Sequence, residues 1–86
     1  MDMTDEEFDL LDELYFVKYF DELLIVLAWD EEKLKNALYS LLEKKWIKVF
    51  INQDEIEVAN QDEFLSGYTD YQYIATKNGL LAHNRN

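Results

Sequence analysis

Apolar residues recur along this chain at two different spacings. Thr4-Asp5-Glu6-Glu7 forms a capping-box pattern, in which the threonine hydroxyl accepts from the amide of the third helical residue and Glu7 reaches back to the cap. Behind it Phe8, Leu11, Leu14 and Tyr15, with Leu10 and Val17, fall at helical spacing while Asp9, Asp12 and Glu13 take the other face, which predicts a helix from about 5 to 17. Lys18-Tyr19-Phe20 reads as a short extended piece. Asp21 then reads as an N-cap, with Phe20 and Ile25 placed as a hydrophobic staple, opening a short helix through about Ala28. Asp30 repeats the device with Trp29 and Leu34, and a third helix carries Leu34, Leu38, Leu41 and Leu42 inward until about Lys44.

After Lys45 the period changes to two. In Ile47-Lys48-Val49-Phe50-Ile51 the branched residues share one face, and Glu55-Ile56-Glu57-Val58 resumes the alternation after Asn52-Gln53-Asp54, which predicts a β-hairpin. Residues 60–70 are polar, contain Gly67 and read as a long loop, after which Tyr71-Gln72-Tyr73-Ile74-Ala75 is strand-like. Asn78-Gly79 is a two-residue hairpin signal, yet Leu80-Leu81-Ala82 does not alternate and Thr76 is placed to cap a helix. The helix is the favoured reading of the two.

With 86 residues and no stretch rich in proline, serine or glycine, the chain is expected to form a single domain over 1–86 of the α+β class. At 49% hydrophobic and 15% aromatic it is too apolar to be a disordered segment. The longest apolar run, Leu23 to Trp29, is far short of the roughly 20 residues that span a bilayer, and Met1-Asp2-Met3-Thr4 lacks the basic start of a signal peptide, so a soluble cytoplasmic protein is expected, with no membrane contact. The absence of cysteine excludes disulfides, thiolate metal sites and a cysteine nucleophile. The formal charge of -11 is distributed unevenly. Residues 1–32 hold twelve acids and one base, residues 33–50 hold Lys33, Lys35, Lys44, Lys45 and Lys48 against Glu43, and residues 51–86 hold six acids and two bases.

Helix, short helix, amphipathic helix and hairpin, in that order, resemble the winged helix-turn-helix superfamily. The residues that carry the likeness are 20–27, Asp30-Glu31-Glu32-Lys33-Leu34-Lys35-Asn36-Ala37-Leu38, and Leu41-Leu42-Glu43-Lys44-Lys45-Trp46-Ile47, with Trp46 near the family's usual glycine. Tyr73-Ile74-Ala75-Thr76-Lys77-Asn78-Gly79 is similar to the family's tyrosine, leucine, threonine, glycine pattern that ends a wing and starts a C-terminal helix. The resemblance implies a winged-helix domain: a three-helix core, a hairpin wing and a short C-terminal helix. It also implies DNA binding, with the third helix in a major groove and the wing near the backbone.

The residues at those two places are acidic. Helical phase puts Glu32, Asn36, Tyr39, Ser40 and Glu43 on the outward row of the third helix, with Asp30, Glu31 and Glu32 at its N-terminus and Asn52-Gln53-Asp54-Glu55 at the wing tip. Such a surface opposes phosphate and suits a basic protein or a second copy of the chain, with Tyr39 as the aromatic anchor and little expected effect of Tyr39→Ala on stability. Glu32, Asn36, Tyr39, Ser40 and Glu43 are therefore the candidate protein interface. Lys33, Lys35, Lys44, Lys45 and Lys48 are the candidate contacts if the chain is instead a DNA-binding regulator. Asp5, Glu6, Glu7, Asp9, Asp12 and Glu13 read as a solvated helix face, or as a docking face for a basic partner. His83 is the single histidine and reads as a helix-end residue with no second ligand for a metal; no cofactor, glycine-rich phosphate loop or small-molecule substrate is implied, and the expectation is a protein with no enzymatic activity.

Overall fold

In the computed structural model, residues 2–85 are described; Met1 and Asn86 lie outside the described residues. The order is α1 (Asp5–Glu13), β1 (Lys18–Tyr19), α2 (Phe20–Leu27), α3 (Glu31–Glu43), β2 (Ile47–Ile51), β3 (Asp54–Ile56), α4 (Gln61–Gly67), β4 (Gln72–Ala75) and α5 (Lys77–Asn84). The strands form one antiparallel sheet in the order β1-β4-β2-β3.

Local chemistry accounts for most boundaries. The capping box at Thr4 is complete: its hydroxyl accepts from Glu7 N at 3.1 Å and its own N–H donates to Glu7 Oε1 at 2.9 Å. Asp30 caps α3 by accepting from Lys33 N at 2.8 Å, and Thr76 caps α5 by accepting from Gly79 N at 3.1 Å, so Asn78-Gly79 lies in a helix. At the end of α3, Lys45 takes φ 61° while Lys45 N donates to Leu42 O and Trp46 N to Leu41 O, both at 3.0 Å. That is a Schellman closure with a lysine where glycine is usual, and it turns the chain directly into β2. Asn52 and Gln53 both have positive φ and Ile51 pairs with Asp54, the geometry of a two-residue type I′ hairpin.

Four expectations are corrected. α1 ends at Glu13 rather than near 17, because the carbonyl of Leu14 accepts from Ala75 N at 2.8 Å across the fold, and Phe16 is left exposed. Asp21 does not cap α2: the cap is Tyr19, whose N–H donates to Glu22 Oε1 at 2.9 Å, and Phe20 is buried inside the helix against the Tyr68 ring while Ile25 is 82% exposed, so the staple does not form. With a two-residue turn, the returning strand starts at Asp54 and ends at Ile56 instead of running 55–58. Residues 60–70 are no open loop, for they contain α4, capped by Asn60 Oδ1 accepting from Glu63 N at 2.9 Å.

The core lies between the helices and one face of the sheet. Leu10, Leu11, Leu14, Phe20, Leu23, Leu34, Leu38 and Leu41 meet Ile47, Val49, Tyr73, Ala75 and Phe64. α5 packs so closely on the α3–β2 junction that a Cβ on Gly79 would lie 2.0 Å from the carbonyl oxygen of Trp46, so only glycine fits there. His83 ties the same helix to α1. Its ring stacks on Phe8 with centroids 4.2 Å apart, Nδ1 lies 2.9 Å from the Tyr15 hydroxyl, and Nε2 is 3.5 Å from Asp12 Oδ1.

Candidate functional site: the outward row of α3

Leu34, Ala37, Leu38 and Leu41 are buried, as the helical phase requires, and the outward row stands opposite them. The structure divides that row. Glu32, Asn36 and Glu43 are exposed, whereas Tyr39 and Ser40 are half-buried, each covered by a different neighbour.

Ser40 faces α1. Its Oγ donates to Glu7 Oε2 at 2.6 Å, and Lys44 Nζ donates to both oxygens of the same carboxylate at 2.7 and 2.8 Å. Glu7 is only 1% exposed. Burial pushes its carboxyl up, and the hydrogen bonds from Lys44, Ser40 and the Thr4 amide outweigh that push and hold it below the usual glutamate range. Lys44 also donates to the carbonyl of Asp2 at 2.8 Å and sits 4.9 Å from the centroid of the Trp46 ring. The reading of Glu7 as part of a solvated or docking face is thus corrected, because the carboxylate is an internal tie between α1 and α3. A signal was present: Glu7 precedes Leu10, Leu11 and Leu14 by three, four and seven residues, which places it on the apolar row of α1.

Tyr39 faces α4. Its ring centroid is 5.4 Å from that of Phe64, which is fully buried, and Phe64 in turn stacks on Tyr68 at 5.5 Å. The Tyr68 hydroxyl donates to Glu31 Oε2, and this hydrogen bond pushes the phenol's titration up. Lys35 bonds Glu32 at 3.0 Å, which holds its ammonium charged, and lies 5.9 Å from the Tyr68 ring centroid. What remains between the two helices is a cleft of about 110 Å³ lined by Glu32, Lys35, Asn36, Tyr39, Phe64 and Leu65 among others. Phe64 and Tyr68 were missed by the sequence reading, although Asn60 is a favoured N-cap residue whose Oδ1 accepts from Glu63 N at 2.9 Å, with the Glu63 carboxylate accepting from Ala59 N, one residue before the cap, at 2.7 Å.

The five lysines do not form one patch. Lys33 is exposed with Nζ 4.7 Å from the Trp29 ring centroid, Lys35 lies toward α4 and Lys44 is held by Glu7. Lys45 and Lys48 line a groove of about 330 Å³ between α3 and the hairpin, but Glu55 and Glu57 line it too, and Lys48 Nζ is 3.9 Å from Glu55 Oε1. The hairpin tip, Asn52-Gln53, brings no cation.

Among the described residues no three histidine, cysteine or acidic side chains come together to hold a metal ion, and no helix is long and apolar enough to cross a membrane. Comparison of the chain with protein-family models, with curated proteins and with solved structures gives no match.

Proposed function

We propose that this chain is a winged-helix-type module, without a reaction of its own, that works by protein contact rather than by reading DNA. The element order supports the winged-helix part: a helix, a short strand, two helices and a hairpin follow one another, and β1 lies in the sheet beside the last strand. The observation that carries the functional part is the position of α4. In a groove-reading domain the third helix must offer a free outward face, and here α4 takes up part of it, with Phe64 against Tyr39 and Tyr68 bonded to Glu31 in the first turn. Phe64 belongs to the core, so α4 is not a cover that lifts away without unfolding. Charge acts in the same direction, since Glu31, Glu32 and Glu43 stand where phosphate would approach and the net charge is -11.

The test is fluorescence anisotropy of a labelled random duplex at low and physiological salt. Non-specific DNA binders reach dissociation constants of about 10⁻⁴–10⁻⁶ M at physiological salt, and this protein is expected to bind more weakly than that range. Salt-sensitive micromolar binding that is lost in Lys45→Glu and Lys48→Glu would overturn the reading in favour of a DNA-binding regulator.

A further inference from the structure

His83 leaves one atom unsatisfied. The residue is 9% exposed, and among the described residues its Nε2 is the buried side-chain nitrogen or oxygen that finds no hydrogen-bond partner. Asp12 Oδ1 faces it at 3.5 Å, beyond the roughly 2.7–3.2 Å of an N–H···O bond. The ring itself is firmly held. Phe8 stacks on it, and the Tyr15 hydroxyl lies 2.9 Å from Nδ1. That hydroxyl has one proton, which it donates to Asn84 Oδ1 at 3.1 Å, so toward the ring it accepts from Nδ1–H. In the neutral imidazole Nε2 then carries a bare lone pair, aimed at a carboxylate oxygen that also has only lone pairs to offer. Two acceptors face each other, and a cation between them is what joins them.

We infer that His83 Nε2 and Asp12 Oδ1 are the two protein ligands of an exchangeable site for a divalent transition metal, with Zn²⁺ the ion whose geometry they fit. Zinc bonds imidazole nitrogen at about 2.0–2.1 Å and carboxylate oxygen at about 2.0–2.2 Å, so two ligands of one tetrahedral ion stand roughly 3.3–3.5 Å apart. The pair already has that spacing. Tyr15 does what outer partners do around a metal, fixing the tautomer through the other ring nitrogen. An imidazole ligand also selects against Mg²⁺ and Ca²⁺, which take oxygen. The Asp12 side chain is 63% exposed, so water fills the remaining positions and the ion exchanges with solvent, unlike the closed four-ligand cage of a structural zinc. Asp9 and Glu13 lie on α1 with Asp12 and add to the negative potential that gathers cations. The second ligand is hidden in the sequence because it is an aspartate of α1, which only the packing of α5 brings to the histidine. Bound there, the ion ties α5 to α1.

Calorimetric titration of ZnCl₂ into the chelator-treated full chain tests this, together with thermal melts and the ¹⁵N resonances of the His83 ring. The wild type should take up one Zn²⁺ at this site and gain melting temperature beyond what MgCl₂ gives at the same concentration, the magnesium arm measuring mere screening of the charge of -11. Zinc should move the Nε2 resonance and leave Nδ1 protonated. His83→Gln should abolish this uptake, and Asp12→Asn and Tyr15→Phe should each weaken it at least about tenfold. Glu6→Gln removes one exposed carboxylate from the same helix and should bind as the wild type does. If His83→Gln is unfolded by circular dichroism, Asp12→Asn and the ring resonances decide. Uptake that is equal in wild type and a folded His83→Gln, a melting gain matched by MgCl₂, an Asp12→Asn that binds like Glu6→Gln, or an Nε2 that carries a proton in excess zinc would each overturn the proposal.

Discussion

The outward row of α3 is covered from two sides by opposite chemistries. Toward α1 the cover is ionic: Glu7 is buried among Ser40, Lys44 and the Thr4 amide, every polar atom finding a partner. Toward α4 it is aromatic, a run of Tyr39, Phe64 and Tyr68 rings spaced 5.4 and 5.5 Å apart with one polar contact at its end, Tyr68 to Glu31. The ionic side is directional and depends on pH, since its strength lies in the charge state of one carboxylate. The aromatic side draws mainly on area removed from water, and its ring contacts carry no charge that titrates over the same range. A polar helix row that looks like a ligand surface is here partly consumed by the protein's own packing, and the two sides can be broken one at a time.

The aromatic side should break harder. Phe64 is fully buried and joins α4 to the core, so Phe64→Ala is expected to cost about 3–5 kcal/mol, from lost transfer energy and the cavity left behind. Thermal melts by circular dichroism measure it, and the loss should be the same at pH 7 and pH 4. A cost under about 1 kcal/mol would mean that α4 is an appendage to the fold, and would reopen α3 as a free face.

On the ionic side the expected effect is smaller and carries a pH signature. Glu7→Gln keeps the shape and removes the charge, and losing charge-assisted hydrogen bonds typically costs about 1.5–3 kcal/mol. Because the folded-state pKa of Glu7 lies below the ordinary value of 4.5, its contribution is fully present above that pH and is lost as the pH falls through the folded-state value. The stability gap between wild type and Glu7→Gln should therefore be widest at neutral pH and should narrow below about 4.5. A gap that stays constant down to pH 3 would show that Glu7 acts through packing and not through its charge.

What the sequence revealed and concealed follows the same division between local and tertiary causes. Thr4, Asp30 and Thr76 announce helix starts through bonds to residues three positions away, and the period-two run from Ile47 announces a strand; each is a local cause, readable in a short window. The leucine row of α3 fixed its helical phase, which is why Asn36 and Glu43 stand exposed as expected. α4 was hidden because a seven-residue helix with one buried residue, Phe64, has too little periodicity to register and is held mainly by rings distant in sequence. For the candidate site the limit was similar: phase says which way Tyr39 and Ser40 point, and only the tertiary fold says that α4 and α1 are waiting there.

The smallest effect belongs to Tyr39, and it bears most directly on the candidate interface. A free aromatic anchor would contribute to association and hardly to stability, whereas a ring half-buried against Phe64 should contribute to stability first. Tyr39→Leu keeps most of the apolar area and removes the ring pairing, which is worth about 0.5–1.5 kcal/mol in such contacts. The expected outcome is a melting temperature lower by a few degrees, since about 1 kcal/mol corresponds to roughly 4–8 °C in a domain of this size. In the double variant Tyr39→Leu with Phe64→Ala the two losses should sum to more than the double variant shows, because the second substitution removes a ring partner already gone. If the losses simply add, Tyr39 and Phe64 are not energetically coupled, α4 does not hold Tyr39 down, and that tyrosine returns to being a surface anchor on α3.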